Sequence, residues 1–368
     1  MSDLTKPGVI PDIIVLHGDQ TGEELLQEAL RVLAPSVIRL NLGFEHFDLS
    51  LENRRATKNQ VVIEAARAMK RTGLGIKAAT ITPEEPNGVG SPNAILRKET
   101  GSEVILRVGR RLPKIRTLTG AYAPIAIVRM STGDAYGAKE WRQAAPDGDE
   151  IAYRTSAISR RVCRVVAEFS FKLAKRMGAC VFGGPKYTVS PIYEGMFKEE
   201  LDAAAARHPD IEYQPMLIDT TFALLIKATN EAMVIPALNR DGDLLSDLVL
   251  QMFGSIAGAE SLVLAFDQET DDVQMVMAEA PHGTAPALQG KNIANPVAMI
   301  LAAAALLSYI QSTPAQQASR AIYESVFEAV NSGHTTTDLG GHMTTSEFTD
   351  EVIQRVKDKL EAWESLPK

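Results

Sequence analysis

The chain is predicted to fold as an α/β protein, in two domains or as one large unit, and three observations carry that expectation. Its 368 residues exceed a typical single domain. A hydrophobic content of 45% beside a charged content of 23% is that of a globular protein able to bury a large core. Over the first ~100 residues strand-like and helix-like stretches alternate, the pattern that favours an α/β fold. In order, DIIVLHG (12–18) reads as a buried strand. TGEELLQEALRVLA from Thr21 opens with a Thr-x-x-Glu capping box and continues as an amphipathic helix. GFEHFDLS is the next strand, QVVIEAARAMKRTG the next helix and GIKAAT a further strand. The middle is less regular: TGDAYGAKEWRQAAPDGDE (132–150), rich in Gly, Asp and Ala, reads as an excursion or arm. A long helix SRRVCRVVAEFSFKLAKRMG follows, then strand ACVFG, a helix from about Pro191, strand MLID, a helix from Thr220 and strand AMVIPAL. After residue 290 the chain reads as mostly helical. No repeats, low-complexity segments or flexible linkers occur, so the domains are expected to interleave.

Composition excludes several function classes. A net charge of −8 argues against nonspecific nucleic-acid binding, which needs a basic footprint, while leaving room for a local basic pocket. The N-terminal MSDLTKPGVIPDIIVLHGD lacks a basic-then-apolar signal pattern, and PVAMILAAAALLSYI from Pro296 is only about the length of a core helix, so no membrane association is expected. Two cysteines, Cys163 and Cys180, are too few for a disulfide framework and suit a reduced, cytoplasmic protein. No strand-to-helix turn carries G-x-G-x-x-G; NGVGSP (87–92) lacks the third glycine and the context, so a conventional Rossmann fingerprint is absent.

Two constellations carry chemistry. NRDGDLLSD (239–247) places three aspartates just after an apolar strand. With a helix starting near Gly242, Asp243 and Asp247 project from one face, a turn apart, and suit a hard divalent cation such as Mg²⁺ or Mn²⁺. The plainer reading, helix caps favoured by the dipole, accounts for one aspartate but not three. Asp219, ending the strand in LIDTT, is a third candidate ligand. In SPNAILRKETGSEVILRVGRRLP (91–113), Ser91 and Asn93 precede Arg97, and Arg107 follows ten residues later; Arg129 ends strand IAIVRM. Single arginines are usually solvated, but three guanidiniums converging on one pocket imply a substrate with several carboxylates.

The segments NRDGDLLSD, EAPHGTAPALQGKNIANP (279–296) and TTTDLGGHMTTSEFTDEVI (335–353), in this order, resemble the β-decarboxylating dehydrogenases, the family of isocitrate and 3-isopropylmalate dehydrogenases. The resemblance covers nearly the whole chain and implies the two-domain fold of that family. Residues 1–108 with 259–368 would form a large cofactor-binding domain. Residues 109–258 would form a smaller domain with the metal site and, through the helix after Gly242, the dimer interface. Ser91, Asn93, Arg97, Arg107 and Arg129 match the residues that grip isocitrate; Tyr136 and Lys186 match the catalytic tyrosine and lysine; Asp219, Asp243 and Asp247 match the metal aspartates. The lysine and the first aspartate come from the partner subunit in that family, so a homodimer with shared active sites is implied. His282, Gly283, Thr284, Ala285, Ala287, Leu288 and Asn295, with Thr82 and Asp338, match the cofactor-binding positions. The implied reaction is metal-dependent, NAD(P)-linked oxidative decarboxylation of a 2-hydroxy acid, isocitrate first. A lysine beside a metal and arginines would titrate below its free value of about 10.4, which suits it as a base.

Several positions depart from the family pattern. GDQTG (18–22) replaces its early glycine-rich turn, Gly133 stands where a glutamate is usual, Thr188 replaces an asparagine, Thr220 follows the first metal aspartate, and Asp241 with Arg240 replaces a tyrosine segment. Asp241 reads as spare. NAD is favoured over NADP, because Ala287 and Leu288 carry no charge and Asp338 would repel a 2′-phosphate. The alternatives are the same reaction on homoisocitrate, 3-isopropylmalate, a malate-type acid or a phosphonate analogue, or a noncatalytic regulatory subunit. Isopropylmalate is disfavoured because Ser-x-Asn, rather than a leucine-rich wall, precedes Arg97.

Overall fold

A computed structural model describes residues 10–84, 88–117, 119–227 and 230–366. Residues 1–9, read above for a leader, and Asn87 of NGVGSP lie outside them. In chain order the elements are β1 (Ile13–His17), α1 (Gln20–Val32), α2 (Pro35–Ile38), β2 (Phe44–Asp48), α3 (Leu51–Ala56), α4 (Gln60–Thr72), β3 (Leu74–Lys77), α5 (Pro92–Thr100) and β4 (Val104–Gly109). The middle of the chain supplies β5 (Ile125–Met130), β6 (Asp134–Ala144), β7 (Glu150–Ala157), α6 (Arg160–Met177), β8 (Cys180–Phe182), α7 (Tyr193–Arg207), β9 (Tyr213–Gln214), α8 (Ile218–Leu225), β10 (Met233–Ala237) and α9 (Asn239–Met252). The last stretch holds β11 (Ser261–Phe266), β12 (Val273–Glu279), α10 (Val297–Ser308), α11 (Thr313–Asn331) and α12 (Thr345–Ser365).

The chain divides into two compact units. One takes the residues up to Ser102, Arg107–Leu118 and Leu250 onward; the other takes Glu103–Leu106 and Thr119–Val249. The sequence-derived limits of 108 and 259 therefore shift. Residues 109–117 and 250–258 lie with the terminal segments because they pack on each other: Gly254 sits against Ile115 and Arg116, and Gly258 against Leu112.

In the first unit β1 pairs in parallel with β2 and β3, β3 pairs in parallel with β12, and β12 with β11 as an antiparallel hairpin. Parallel strands buried on both faces read as unbroken apolar runs, as IIVL in β1 does. β11 (SLVLAF) is likewise an unbroken apolar run, fully buried, in its antiparallel pair with β12, and no strand is assigned to it from the sequence. Helix α10 has eleven buried residues in a row, Val297–Leu307, which is why the apolar run from Pro296 forms a core helix. The Thr-x-x-Glu capping box expected at Thr21 does not form. Helix α1 begins at Gln20, so Thr21 is already inside it; its hydroxyl donates to Ala285 O at 2.8 Å, and Glu24 accepts Gly290 N–H. A capping box closes instead at α12, between Thr344 and Glu347.

In the second unit β10 lies between β5 and β8, all parallel, and β9 adds to β8. The excursion at 132–150 is the first strand and turn of the antiparallel pair β6–β7, with Trp141 stacked on Tyr153 at 5.1 Å. The strand expected at MLID is absent: β9 ends at Gln214, and α8 begins at Ile218. Asp219 thus occupies the first turn of a helix, where a carboxylate is favoured by the helix dipole. Helix α9 starts at Asn239, three residues before the expected Gly242.

Candidate active site

Strand β5 ends by delivering Arg129, 4% exposed, to the first turns of α9. Arg129 Nε donates to Asn239 Oδ1 at 3.0 Å, and its guanidinium pairs with the Asp243 carboxylate. Tyr136, from β6, donates its hydroxyl to the other Asp243 oxygen at 2.6 Å and lies under the guanidinium, 5.4 Å from ring centre to Cζ. The bond to Asp243 and then partial burial push the Tyr136 phenol above its ordinary range, so the hydroxyl keeps its proton near neutrality. Asp243 and Asp247 fall one turn apart on α9, as the i, i+4 spacing requires, with Asp247 exposed. The structure therefore gathers Arg129, Tyr136 and Asp243. Gly242 makes the approach feasible: a Cβ there would stand 2.7 Å from Arg129 Cβ and Cγ.

Lys186 and Asp219 form a second group, Nζ to carboxylate at 2.6 Å. That bond holds the Asp219 carboxyl below the usual carboxylate range. The backbone N–H of Lys186 donates to Glu194 in the first turn of α7. Among the described residues no three acidic, histidine or cysteine side chains are placed to hold one metal ion, so Asp219, Asp243 and Asp247 do not assemble into a metal site within one chain.

The aspartates of NRDGDLLSD do not cap their own helix. Asp134 Oδ2 accepts Arg240 N–H at 2.9 Å, while its Oδ1 accepts the Tyr193 hydroxyl at 3.0 Å. Asp241, which reads as spare, is half-buried, and burial together with Asp134 raises its carboxyl above the ordinary range. Gly133 also has a structural reason. Its φ of 78° disfavours a side chain, and a Cβ would stand 2.8 Å from Ala157 O.

In the first unit Ser91 is the N-cap residue of α5, and Asn93 and Arg97 follow on that helix four apart. The Asn93 Oδ1 is buried without a hydrogen-bond partner. Arg107, on β4, donates to Ser261 Oγ at 3.5 Å. The segment from His282 is an irregular loop that turns at Ala285, φ 44°, into a 3₁₀ turn Pro286–Leu288. Thr21 fastens Ala285, so the altered GDQTG segment braces this loop. His282 Nε2 is buried and without a partner, while Gly283 exposes its backbone and Thr284 is half-buried. Asn295 Nδ2 donates to Asp338 Oδ2 at 2.9 Å, and Thr336 bonds the other oxygen of Asp338. Thr82 is exposed in the segment after β3.

The sequence profile of the isocitrate/isopropylmalate dehydrogenase family matches residues 12–352. The chain belongs to that family. It is a family of metal-dependent, NAD(P)-linked decarboxylating dehydrogenases that bind polycarboxylate substrates. The 3-isopropylmalate dehydrogenase of Methanothermobacter thermautotrophicus is 30% identical over 94% of this chain and 98% of its own. The NADP isocitrate dehydrogenase of Thermus thermophilus is 27% identical over 94% of this chain and 67% of its own. The crystal structure of isocitrate dehydrogenase from Methylococcus capsulatus shares the fold, with a TM-score of 0.83 at 22% identity over 94% of this chain and 99% of that one.

The residues present fit the cofactors of the isocitrate/isopropylmalate dehydrogenase family. Asp243 and Asp247 offer carboxylate oxygens from one helix face, the donors that Mg²⁺ and Mn²⁺ take. The unpartnered His282 Nε2 and the exposed Gly283 backbone suit the polar edge of an adenosine.

Four residues of this member are given no role by the sequence reading. Asn239 orients Arg129, Asp134 joins two helix starts, and Glu194 holds the Lys186 backbone. None of these has a local signal, because each acts on a partner far along the chain or on a backbone group. Lys77, 1% exposed at the end of β3, lies 3.6 Å from Glu279 of β12. A lysine in the otherwise apolar run of GIKAAT was the available signal.

Proposed function

We propose that this chain oxidises and decarboxylates isocitrate, with NAD as hydride acceptor and Mg²⁺ or Mn²⁺ as the metal, in a homodimer whose two sites are shared. The observation that carries the reading is the cluster on α9 in which buried Arg129 meets Asp243 and the proton-bearing hydroxyl of Tyr136. Arg129, with Arg97 and Arg107, binds substrate carboxylates through planar paired hydrogen bonds, and Ser91 and Asn93 add polar contacts. Lys186 would remove the hydroxyl proton, directly or through water, and the nicotinamide, when bound beside the His282 loop, would supply the acceptor for the hydride. After loss of CO₂, Tyr136 delivers its proton to the carbon left electron-rich. When bound to Asp243, Asp247 and Asp219 of the partner subunit, the divalent ion supplies positive charge that favours ionisation of the hydroxyl and stabilises the electron-rich oxygen after decarboxylation. The choice of NAD rests on uncharged Ala287 and Leu288 and on Asp338, whose carboxylate would repel a 2′-phosphate. The homodimer rests on the two separate groupings, Lys186 with Asp219 and Arg129 with Asp243, which a second protomer would bring together.

The test follows reduced-nicotinamide absorbance with Mn²⁺ across isocitrate, homoisocitrate, 3-isopropylmalate and malate, each with NAD and with NADP. Turnover of isocitrate with NAD is the expected result. Activity on another acid with silence on isocitrate would overturn the substrate and make Asp241, Thr188 and Gly133 the residues to exchange first. Silence on all four would overturn the isocitrate reading and leave a further substrate, such as a phosphonate analogue, or a noncatalytic subunit, between which isocitrate-dependent Mn²⁺ binding without turnover would decide for the noncatalytic subunit.

A further inference from the structure

The loop from β8 to α7 carries Lys186 and closes on itself: Val189 and Ser190 N–H both donate to Lys186 O, and Glu194 and Gly195 N–H both donate to Ser190 O. Acidic residues in a helix's first turn ordinarily serve that helix's own N-terminus. Glu194 does something else. Its carboxylate reaches back eight residues to accept the N–H of Lys186. Next to it, Tyr193 is tied to Asp134, and Asp134 is tied to the Arg240 N–H that opens α9. These groups line a cavity of about 410 Å³, with Asp134, Glu194 and Asp241 on its wall beside Arg154 and Arg240. An acid with no task beyond structure has little reason to sit half-buried among two further carboxylates, where burial is unfavourable and each like charge adds to it.

We propose that Glu194 is a positioning residue for Lys186: it fixes the lysine's backbone so that Nζ is presented to the substrate hydroxyl. The inference rests on the base role given to Lys186 above. Because Asp134 joins the start of α7 to the start of α9, the same contacts place the lysine loop relative to Arg129, Tyr136 and Asp243 within this unit. The groups facing Glu194 are Lys186 on its own loop, Asp134 from β6, Asp241 and Arg240 from α9, and Arg154 from β7. Burial, with Asp241 and Asp134 behind it, raises the Glu194 carboxyl above the ordinary range against the pull of the Lys186 N–H.

The experiment compares wild type with Glu194→Ala and Glu194→Gln, using the acid and nicotinamide that turn over, and reads kcat and KM against pH together with amide hydrogen exchange at Lys186. Glutamine keeps an oxygen acceptor at the same reach but cannot ionise. In Glu194→Ala, kcat should fall about 10–100-fold with KM changed less than about 2-fold, as misplacement of a reacting group requires, and the Lys186 amide should exchange faster. Glu194→Gln should recover most of kcat and keep Lys186 protected. Wild-type kcat in Glu194→Ala would overturn the proposal. So would loss of kcat or of Lys186 amide protection in Glu194→Gln, where the acceptor oxygen is kept; that result decides the matter alone if the alanine variant does not fold. Lys186→Ala, measured alongside, separates the two readings. If it retains turnover, the base role fails and this inference with it; if it is inactive while both Glu194 variants behave as wild type, only this inference fails.

Discussion

Replacing Gly242 with alanine sets two effects of opposite sign against each other. Gly242 lies within α9, where glycine is about 1 kcal/mol less favourable than alanine. On helix propensity alone Gly242→Ala should therefore stabilise. The added methyl, however, would sit 2.7 Å from both Cβ and Cγ of Arg129 and 3.2 Å from its Cα. Carbon atoms rest at about 3.5–4.0 Å, so α9 and β5 must part by roughly an ångström. These atoms are the root of a buried side chain held by Asn239 and Asp243, and they cannot swing aside as a flexible tip would. Overpacking of this kind costs about 1–3 kcal/mol, which leaves up to about 2 kcal/mol of net destabilisation. The melting temperature should fall by up to about 3 °C. Because the displaced group is the guanidinium that meets Asp243, kcat/KM should also fall by about 10–100-fold. Gly195→Ala, in α7, is the control: a Cβ there meets nothing within 4 Å, so the propensity gain should appear unopposed. Differential scanning calorimetry of both variants beside steady-state kinetics decides the question. A Gly242→Ala protein that melts higher than wild type, with turnover intact, would show that the contact between α9 and Arg129 is not what this geometry says.

Two further expectations follow. Tyr136→Phe keeps the ring under Arg129 but deletes the hydroxyl that bonds Asp243, so kcat should fall about 10²–10⁴-fold, the usual contribution of a placed proton donor, with melting little changed; an unaltered kcat would remove Tyr136 from the chemistry. Glu168 is a test of pH-linked stability. Burial acts to raise its carboxyl, but bonds from His208 and Arg207 outweigh it and leave the folded pKa below the ordinary 4.5. Its contribution is therefore present above the unfolded pKa and is lost as pH falls through the folded one. Wild type should melt above Glu168→Gln at neutral pH, and the gap should narrow below about pH 4.5; parallel melting curves down to pH 3 would contradict the assignment.

Much of the architecture was legible along the chain because buried parallel strands and amphipathic helices write their periods into the sequence. β1, α4, α6 and β10 lie where the runs of apolar residues put them. The chemistry-bearing residues were legible for a different reason: Asp243 and Asp247 at one helical turn, and Ser91, Asn93 and Arg97 on α5, are spacings that a local element converts directly into a shared face or helix. Where the sequence misled, a distant partner had overruled a local preference. Thr21 and Glu24 had the spacing of a capping box, but α1 begins early and both side chains bond the loop around Ala285 and Gly290 instead. LIDTT read as a strand end, yet β9 stops at Gln214 and Asp219 takes a helix's first turn. Asp241 looked spare because nothing near it in sequence needs it; it is the approach of Asp134, 107 positions earlier in the fold's order, that makes its burial matter.

What the sequence by itself determined is the α/β class, the family, and the inventory of charged groups available for chemistry, all of which depend on residue type and short-range spacing. Only the tertiary structure decided that Arg129 closes on Asp243 and Tyr136, that Lys186 pairs with Asp219, and that Glu194 holds the lysine's backbone. Those are contacts between separate elements or with backbone groups, and their energies depend on burial and on distance to partners, neither of which is written in local order.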